Sequence, residues 1–453
     1  MISGSKYSEI ESPEQFLPLV QKVVILARRK GAQFADAVIS VGREVAVDVE
    51  KSSIKTSEVS WGKSFSIRVF IDGGMGYVST NGFMEHELEG LVDRAVELSR
   101  IATPDTDFVA LPDPETAEKK PVVFDPQILT VGSHQVTEWA SENIRQAQAV
   151  CKDVIVSGDI AFEASASVLA SSTGIELTRK STRIHTGYFC VIKNGQSVGS
   201  FAEHDSARFL SDFVPGGLGE KAARRALEYR NPRKIATGRT TIVLGPLAAI
   251  GLISALASAA NAESIQRKRS LLADKLNKVI APDLLTITDN GLIDRGLYSG
   301  AYDGEGAKRK VVTIIDRGRF VNMLHNSATA NKAHVPNTGH GSRTGGISSS
   351  NLETALGELP AAKLISQVED GIYLEMGGLD PDLVSGDIST SLDFAFKIEK
   401  GELAYPVANA MVAGNLMEVL RNIDAVSSDF RYEPGNPMPT IRIRDVQVSS
   451  SGD

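Results

Sequence analysis

Two kinds of hydrophobic spacing alternate along the first half of the chain. Between Val20 and Ala27 apolar residues recur every three or four positions, which predicts an amphipathic helix. From Phe65 to Ile71 apolar and polar residues alternate, which is typical of a half-buried strand. The same reasoning predicts strands at residues 35–41, 45–50, 64–71, 154–170, 175–181 and 183–192, and further helices at residues 84–100, 135–151 and 220–229.

The most apolar stretch of the chain runs from Thr240 to Glu263. Its β-branched beginning, Thr240 to Leu244, predicts a buried strand, and Gly245-Pro246 marks a break before a helix, because proline is tolerated in the first helical turn. This helix has apolar residues on nearly every side, so we expect it to be buried. It carries no histidine, cysteine or carboxylate before Glu263.

The order of the predicted elements favours an α+β fold over a doubly wound sheet, because strands and helices do not alternate regularly. We expect an N-terminal region of helices and antiparallel strands, with two similar α-β-α units, and a larger, mostly antiparallel C-terminal β domain around the buried helix. The predicted boundaries are an N-terminal α+β domain at residues 1–102, a linker rich in proline at 103–122, a central α+β unit at 123–236 and a C-terminal β-rich domain at 237–453.

Composition narrows the classes of function. The net charge of −8 argues against direct binding of nucleic acid, which requires a basic face. Two cysteines are too few for a disulfide framework, no apolar run reaches the length of a membrane helix, and the N-terminus lacks the pattern of a signal peptide. We therefore expect a cytoplasmic protein that does not bind membranes.

Several polar segments are candidates for chemistry. His325, His334 and His340 lie close in sequence, but their spacing in a loop rich in glycine matches no zinc pattern. The turns at Asp303–Gly306 and Ser385–Asp387 have two interpretations. Aspartate and glycine favour tight turns for purely structural reasons, and exposed backbone at such turns also suits the wall of a cleft that holds a peptide. The pairs Gly377-Gly378 and Gly414-Asn415 have the same ambiguity.

Taken together and in order, several of these short motifs resemble the TldD/PmbA family. The matching stretches cover nearly the whole chain and are Gly73–Asn81, Ile242–Pro246, Tyr302–Gly306, Asn337–His340, Met376–Gly378, Val384–Asp387 and Val412–Leu416.

The resemblance also identifies what the chain lacks. In the TldD branch of the family, a His-Glu-x-x-x-His motif on the helix after Leu-Gly-Pro binds zinc and supplies the general base. The corresponding positions here are Ser254, Ala255 and Ala259, and the C-terminal cysteine ligand of that branch is missing as well. The chain is therefore similar to the TldE/PmbA branch, and the resemblance implies no catalytic residue and no metal in this chain, with zinc expected only in a TldD-like partner.

The resemblance implies a non-catalytic subunit that pairs with a TldD-like metallopeptidase and acts on unstructured peptides. The candidate residues of the peptide cleft are Asp303, Gly304, Glu305, Gly306, His340, Gly377, Gly378, Ser385, Gly386, Asp387, Gly414 and Asn415. Two other functions remain open, namely an independent hydrolase that uses Ser254 or a loop histidine, and a binding or modulator protein without catalysis. Without the partner, the chain could instead form a homodimer.

Overall fold

A six-stranded antiparallel sheet occupies the first half of the chain. The structure is a computed structural model that describes residues 9–433 and 435–450. The strands lie in the order β3-β2-β1-β4-β5-β6. They are β1 (Phe34–Glu50), β2 (Ser53–Ile71), β3 (Gly74–Asn81), β4 (Ile155–Ser171), β5 (Glu176–Asn194) and β6 (Ser197–Ala207).

The two predicted N-terminal units share this sheet. Each consists of an antiparallel three-stranded meander flanked by helices, and β1 of the first pairs with β4 of the second from Asp36↔Ser171 to Val49↔Gly158. The boundaries that we placed around the linker at residues 103–122 remain predictions. The segments predicted separately at 35–41 and 45–50 form one strand, because Gly42 pairs with Gly62 on one side and Ser165 on the other.

Helices cover one face of the sheet. The odd-numbered residues of β1 from Ala37 to Val49, except Arg43, are apolar and pack with buried residues of the helices in one hydrophobic core. The even-numbered residues point to the opposite face, as the strand repeat of two requires. The helices in this half are α1 (Leu17–Arg29), α2 (Leu88–Ile101), α3 (Ser133–Val150) and α4 (Leu218–Glu228).

The second half contains an eight-stranded and a four-stranded sheet. The pairing is antiparallel throughout the named strands except between β7 and β12, which confirms the predicted α+β class. The strands are β7 (Gly238–Leu244), β8 (Ile287–Asn290), β9 (Val311–Asp316), β10 (Arg319–Phe320), β11 (Leu352–Thr354), β12 (Asp370–Met376), β13 (Asp387–Ser391), β14 (Phe394–Glu399), β15 (Glu402–Pro406), β16 (Ala410–Asn415), β17 (Ile423–Tyr432) and β18 (Pro437–Ser450). The helices are α5 (Pro246–Ala259), α6 (Ala262–Gln266), α7 (Ser327–Ala333), α8 (Ala361–Ser366) and α9 (Leu416–Arg421).

Helix α5 is the buried central helix that the sequence predicts. It begins at Pro246, directly after strand β7, and Leu252, Ile253 and Leu256 are fully buried in the C-terminal core. One strip of the helix is less covered, because Gly251, Ser254 and Ala255 are partly exposed and Ser258 is exposed. Positions three and four apart share a helix face, so these four small residues form one continuous strip, which we call the α5 strip.

In the part of the chain that the structure describes, no helix combines the length and apolar character needed to cross a membrane.

Candidate functional site

A cavity of about 570 Å³ lies between the helix-free face of the six-stranded sheet and the C-terminal half, and we call it the junction cavity. Its walls come from β2 and β3, the segment after α2, helices α6 and α7, and the loop around Gly345. Glu305, one of the predicted cleft residues, lines it. The cavity is therefore built from both halves of the chain.

The segment after α2 closes one side of the junction cavity. The ring of Phe108 stacks on Phe70 with 4.1 Å between the ring centroids, and the backbone N–H of Asp105 donates to the Gly73 carbonyl at 2.8 Å. Asp107 forms an ion pair with Lys332 of α7. This part of the predicted linker is therefore fixed against both halves of the protein.

A buried cluster of charges borders the cavity. Asp36 and Arg68 are cross-strand neighbours on β1 and β2, and the ends of Arg343 and Glu305 reach them from the C-terminal half. Arg343 Nη1 lies 2.7 Å from Asp36 Oδ1, and Arg68 Nη1 lies 3.5 Å from Glu305 Oε1. Burial acts to raise the pKa of Asp36, but Arg343 and Arg68 outweigh it and hold that pKa below its usual range.

Glu305 is fixed by α7 as well as by Arg68. Its Oε2 accepts hydrogen bonds from the backbone N–H of Ser327 at 3.0 Å and from the Ser327 hydroxyl at 2.8 Å. The carboxylate is buried and has partners for both oxygens, so it serves to position the cavity wall and is not a free base.

The Asp303 carboxyl group organises the turn that carries Glu305. It accepts from the backbone N–H groups of Glu305 and Ala307 at 2.9 and 3.0 Å, and from that of Gly341 at 2.7 Å. Burial, together with the charge of Glu305, raises the pKa of Asp303 to about 6, although the Gly341 hydrogen bond opposes this shift. A side chain at Gly304 would meet the Gly341 carbonyl at 2.9 Å, and Gly306 has a φ of +89°, so both glycines are required by this turn.

His340 lies beside this turn but is buried. Its Nε2 lies 3.0 Å from Asp289 Oδ1 and its Nδ1 lies 2.9 Å from the Thr338 hydroxyl. The hydroxyl of Ser350 donates to the same Asp289 oxygen. The carboxylate thus stands between serine and histidine, so His340 cannot take the serine proton as it would in a catalytic triad.

The three loop histidines do not form a metal site. His325 is hydrogen-bonded to Thr329, and His340 to Asp289 and Thr338. His334 is the C-cap residue that follows α7, with a φ of +53°. Burial lowers the pKa of His325.

A second group of predicted residues lies against the α5 strip. A side chain at Gly251 would come within 3.4 Å of the Gly378 Cα and 3.8 Å of the Gly377 carbonyl. The Gly377-Gly378 backbone therefore packs against the helix at Gly251, one turn before Ser254 and Ala255. Ala259, the third position of the degenerate motif, is buried instead.

The third group joins two predicted turns. Strand β13 pairs with β16 so that Asp387 lies opposite Asn415 and Ile388 opposite Gly414. The Asn415 amide donates to the Ser385 carbonyl at 3.0 Å and to Asp387 Oδ1 at 3.2 Å, and the Gly386 carbonyl accepts from Leu416. The structure thus brings the predicted cleft residues together in three groups, and their contact with a peptide remains a prediction.

Four residues around the junction cavity carry no sequence signal that marks them as part of a site, namely Asp36, Arg68, Arg343 and Phe108. Strand alternation alone would place Asp36 and Arg68 among polar residues on one face, which is usually solvated. Asp36 and Arg68 are buried by contacts with Arg343 and Glu305, which lie more than 230 residues further along the chain. No local sequence pattern predicts such a contact.

The residues present do not fit a zinc site of the kind that the TldD branch of the family carries. Within residues 9–433 and 435–450, no group of three or more His, Cys, Asp or Glu side chains is arranged to hold a metal ion. The positions that we predict to correspond to the zinc motif, Ser254, Ala255 and Ala259, carry only hydroxyl and methyl groups, which supply neither the nitrogen ligands nor the carboxylate that zinc hydrolysis uses. The cysteines, Cys151 and Cys190, both belong to the N-terminal half. The absence of zinc from the protein itself stays a prediction.

Family models match three successive parts of the chain. Residues 35–99 match domain 1 of the PmbA/TldA metallopeptidases, residues 129–229 match their central domain, and residues 237–450 match their C-terminal domain.

Curated relatives and solved structures agree with these matches. The chain is 27% identical to the metalloprotease PmbA of Escherichia coli O157:H7, in an alignment that covers 98% of this chain and 98% of the relative. It is 26% identical to a PmbA homologue of Buchnera aphidicola, in an alignment that covers 98% of this chain and 99% of the relative. The structure of TldE from Thermococcus kodakarensis superimposes with a TM-score of 0.86 at 20% identity, over 95% of this chain and all of that one. A protein described as a modulator of DNA gyrase from Bacteroides thetaiotaomicron gives a TM-score of 0.83 at 25% identity, over 96% and 98%.

Proposed function

The chain belongs to the TldD/PmbA family of metallopeptidases, and we propose that it is the non-catalytic, TldE/PmbA-type subunit of a two-chain zinc peptidase that acts on unstructured peptides. One observation carries the proposal. The α5 strip is accessible and lies beside the Gly377-Gly378 backbone, but its motif positions Ser254 and Ala255 cannot bind zinc or act as a base.

This arrangement keeps the shape of a peptide site while omitting its chemistry. Small side chains at Ser254, Ala255 and Ser258 would let an extended chain approach the backbone of the helix closely. Hydrolysis then requires an ion and a base from elsewhere, and a TldD-like partner would supply both. The likeness in fold to TldE from Thermococcus kodakarensis supports the assignment to this type of subunit.

An independent hydrolase is the second candidate, and the contacts of Ser254 disfavour it. A serine nucleophile needs an adjacent base. None of the seven histidines makes a hydrogen bond with Ser254 among the described residues, and the two buried ones, His325 and His340, are bonded to other partners.

A binding or modulator protein without catalysis is the third candidate. The name of the Bacteroides thetaiotaomicron protein suggests an effect on gyrase, but the charge of −8 argues against direct contact with DNA.

A cleavage assay with a denatured peptide tests the proposal. The samples are this chain, a TldD-like chain from the same genome, and their mixture, each with and without a chelator. We expect the mixture to cleave, the chelator to abolish cleavage, and this chain alone to be inactive. Ser254→Ala in this chain should leave the mixture active, whereas replacing a zinc-binding histidine of the partner should inactivate it.

The outcomes separate the three functions. Cleavage by this chain alone that resists the chelator and is lost in Ser254→Ala would establish the independent hydrolase and overturn the proposal. Association of the two chains without any gain in cleavage would instead favour the binding protein.

A further inference from the structure

A second cavity, of about 560 Å³, lies on the same helix-free face of the six-stranded sheet. Its sheet wall includes a row of cross-strand neighbours, in which Ser40 on β1 lies opposite Ser167 on β4 and Ser167 opposite Arg179 on β5. The facing wall is formed by the C-terminal half around Tyr302 and Arg309. We call this space the basic cavity.

The charges that line the basic cavity are strongly unbalanced. Lys180 and Glu176 alternate with Arg179 along β5 and therefore project from the opposite face of the sheet, where Lys180 donates to the Glu11 carbonyl. Glu176 already accepts a hydrogen bond from Gln21 at 2.5 Å. The other charged residues among the described lining residues are four cations and no carboxylate, in a protein whose net charge is −8. The four cations are Lys120, Arg179, Arg208 and Arg309.

The arginines have neutral partners or none. Arg208 donates to the carbonyls of Gly296 at 2.8 Å, Thr182 at 2.9 Å and Leu297. Arg179 donates to two carbonyls of the turn that precedes Glu305. Backbone carbonyls satisfy the N–H groups of these side chains but do not neutralise their charges. Nε and Nη1 of Arg309 are buried and have no hydrogen-bond partner among the described residues.

Two buried carboxylates of the C-terminal half, Asp303 and Asp289, already have other hydrogen-bond partners. Asp303 accepts from three backbone N–H groups, and Asp289 accepts from His340 and Ser350. Neither forms an ion pair with a cavity arginine within 4 Å in the described part of the chain. Burial, with the like charge of Arg183, lowers the pKa of Arg208 to about 10. Burial also lowers the pKa of Arg309, although the charges of Asp303 and Asp289 act against this shift. The protein therefore keeps these cations together at an energetic cost.

We propose that the basic cavity binds a small phosphorylated compound carrying several negative charges. Arginine guanidinium groups match phosphate oxygens in geometry, and the hydroxyls of Ser40, Ser165 and Ser167 provide neutral donors on the sheet wall. A compound with two linked phosphates concentrates three or more charges within a few ångströms, which matches the excess of four, whereas an acidic peptide spreads its charges along an extended chain. This site is separate from the proposed peptidase function and does not depend on it.

Calorimetric titration with pyrophosphate tests the proposal on the full chain at low ionic strength, with citrate as a carboxylate probe of similar charge. We expect saturable binding of one pyrophosphate per chain, weaker binding of citrate, and loss of affinity as salt is added. Arg309→Gln and Lys120→Gln should each weaken binding by about tenfold or more. Lys221→Gln, which removes an exposed cation on α4 outside the cavity, is the matched control and should bind as the parent does.

Thermal melting of the same variants separates binding from folding. Pyrophosphate should raise the Tm of the parent and of Lys221→Gln, but much less that of Arg309→Gln. Absence of binding by a folded parent would overturn the proposal. Equal loss of affinity in Lys221→Gln, unchanged affinity in both cavity variants, or citrate binding as tightly as pyrophosphate would overturn it as well.

Discussion

Asp36 and Arg68 face each other across strands β1 and β2, and both oxygens of the Asp36 carboxylate accept from Arg68 Nε, at 3.2 and 3.0 Å. Both side chains are 1% exposed, although they lie on the face of the sheet that carries no helices. Arg343 and Glu305 complete the cluster from the C-terminal half. The junction of the two halves is therefore held by buried charges that depend on one another.

Removing Arg68 should destabilise the protein strongly. Arg68→Met leaves Asp36 and Glu305 buried with one fewer cation, and breaking a buried pair in this way costs about 3–5 kcal/mol. Urea denaturation measures the change, and Arg94→Met on the exposed side of α2 is the control, with an expected effect within about 0.5 kcal/mol. In the double variant with Asp36→Asn, the loss should be smaller than the sum of the single losses. A parent-like midpoint for Arg68→Met would contradict this account.

A charge on the covered side of α5 should be far more damaging than one on the α5 strip. Leu252 and Leu256 are fully buried, so replacing either by Asp buries an unpaired carboxylate and should cost about 4 kcal/mol or more of unfolding free energy. Ser258→Asp on the same helix is exposed and should cost less than about 1 kcal/mol. Chemical denaturation of the three variants gives the comparison, and similar losses at Leu256 and Ser258 would mean that the strip is covered.

The purified chain should contain well below one zinc ion per molecule. Ser254 and Ala259 stand at the positions that we predict to correspond to the zinc-binding histidines of the TldD branch, and metal affinity depends on the identity and number of the ligands. Elemental analysis after dialysis against dilute zinc provides the measurement. One bound zinc that persists when His325, His334 and His340 are replaced together would show that the motif positions are misassigned.

The stability of the protein should depend on the protonation of His204. The hydrogen bond with Glu433, at 2.8 Å, raises the pKa of His204 despite partial burial, because it favours the charged imidazolium. The stabilisation is complete below the unfolded pKa of about 6.5 and is lost as the pH rises through the higher folded value.

Melting temperatures between pH 6 and pH 8 test this dependence. The parent should lose more stability over this interval than His204→Gln, and the contribution of His185, whose pKa is also raised, by Asp159, cancels in the comparison. His134→Gln, at an exposed position on α3, should keep the slope of the parent. Identical slopes for the parent and His204→Gln would rule out this coupling.

Hydrophobic periodicity predicted helices and strands well where the local pattern alone distinguishes one from the other. The spacing from Val20 to Ala27 and the apolar stretch after Pro246 correspond to α1 and α5. Two pairs of segments that we predicted separately are single strands, namely 35–41 with 45–50 in β1 and 175–181 with 183–192 in β5. The reason is clear in β1. Gly42 suggests a break, but hydrogen bonding to a strand on each side carries the ladder through it, and a single sequence does not show how many neighbours a strand has.

The candidate site was harder to predict because its contacts are long-range. Turn chemistry drew attention to Asp303 and Glu305, and their role in a peptide cleft stays a prediction. The partner of Glu305 on the sheet is Arg68, and the basic cavity likewise joins Arg179 to Arg309. These pairs are separated by more than 100 residues, so only the folded chain reveals which charges are compensated and which are not.

The pairing of β1 with β4 has a consequence for fragments of this protein. A fragment that ends at residue 102 would leave the backbone donors and acceptors of β1 unpaired from Asp36 to Val49, and a fragment that begins near residue 123 would expose the matching length of β4. Long strands with free edges recruit other chains, so each fragment should aggregate or exchange strands with its own copies. When the two fragments are mixed, β1 of one can pair with β4 of the other, and this pairing covers both free edges.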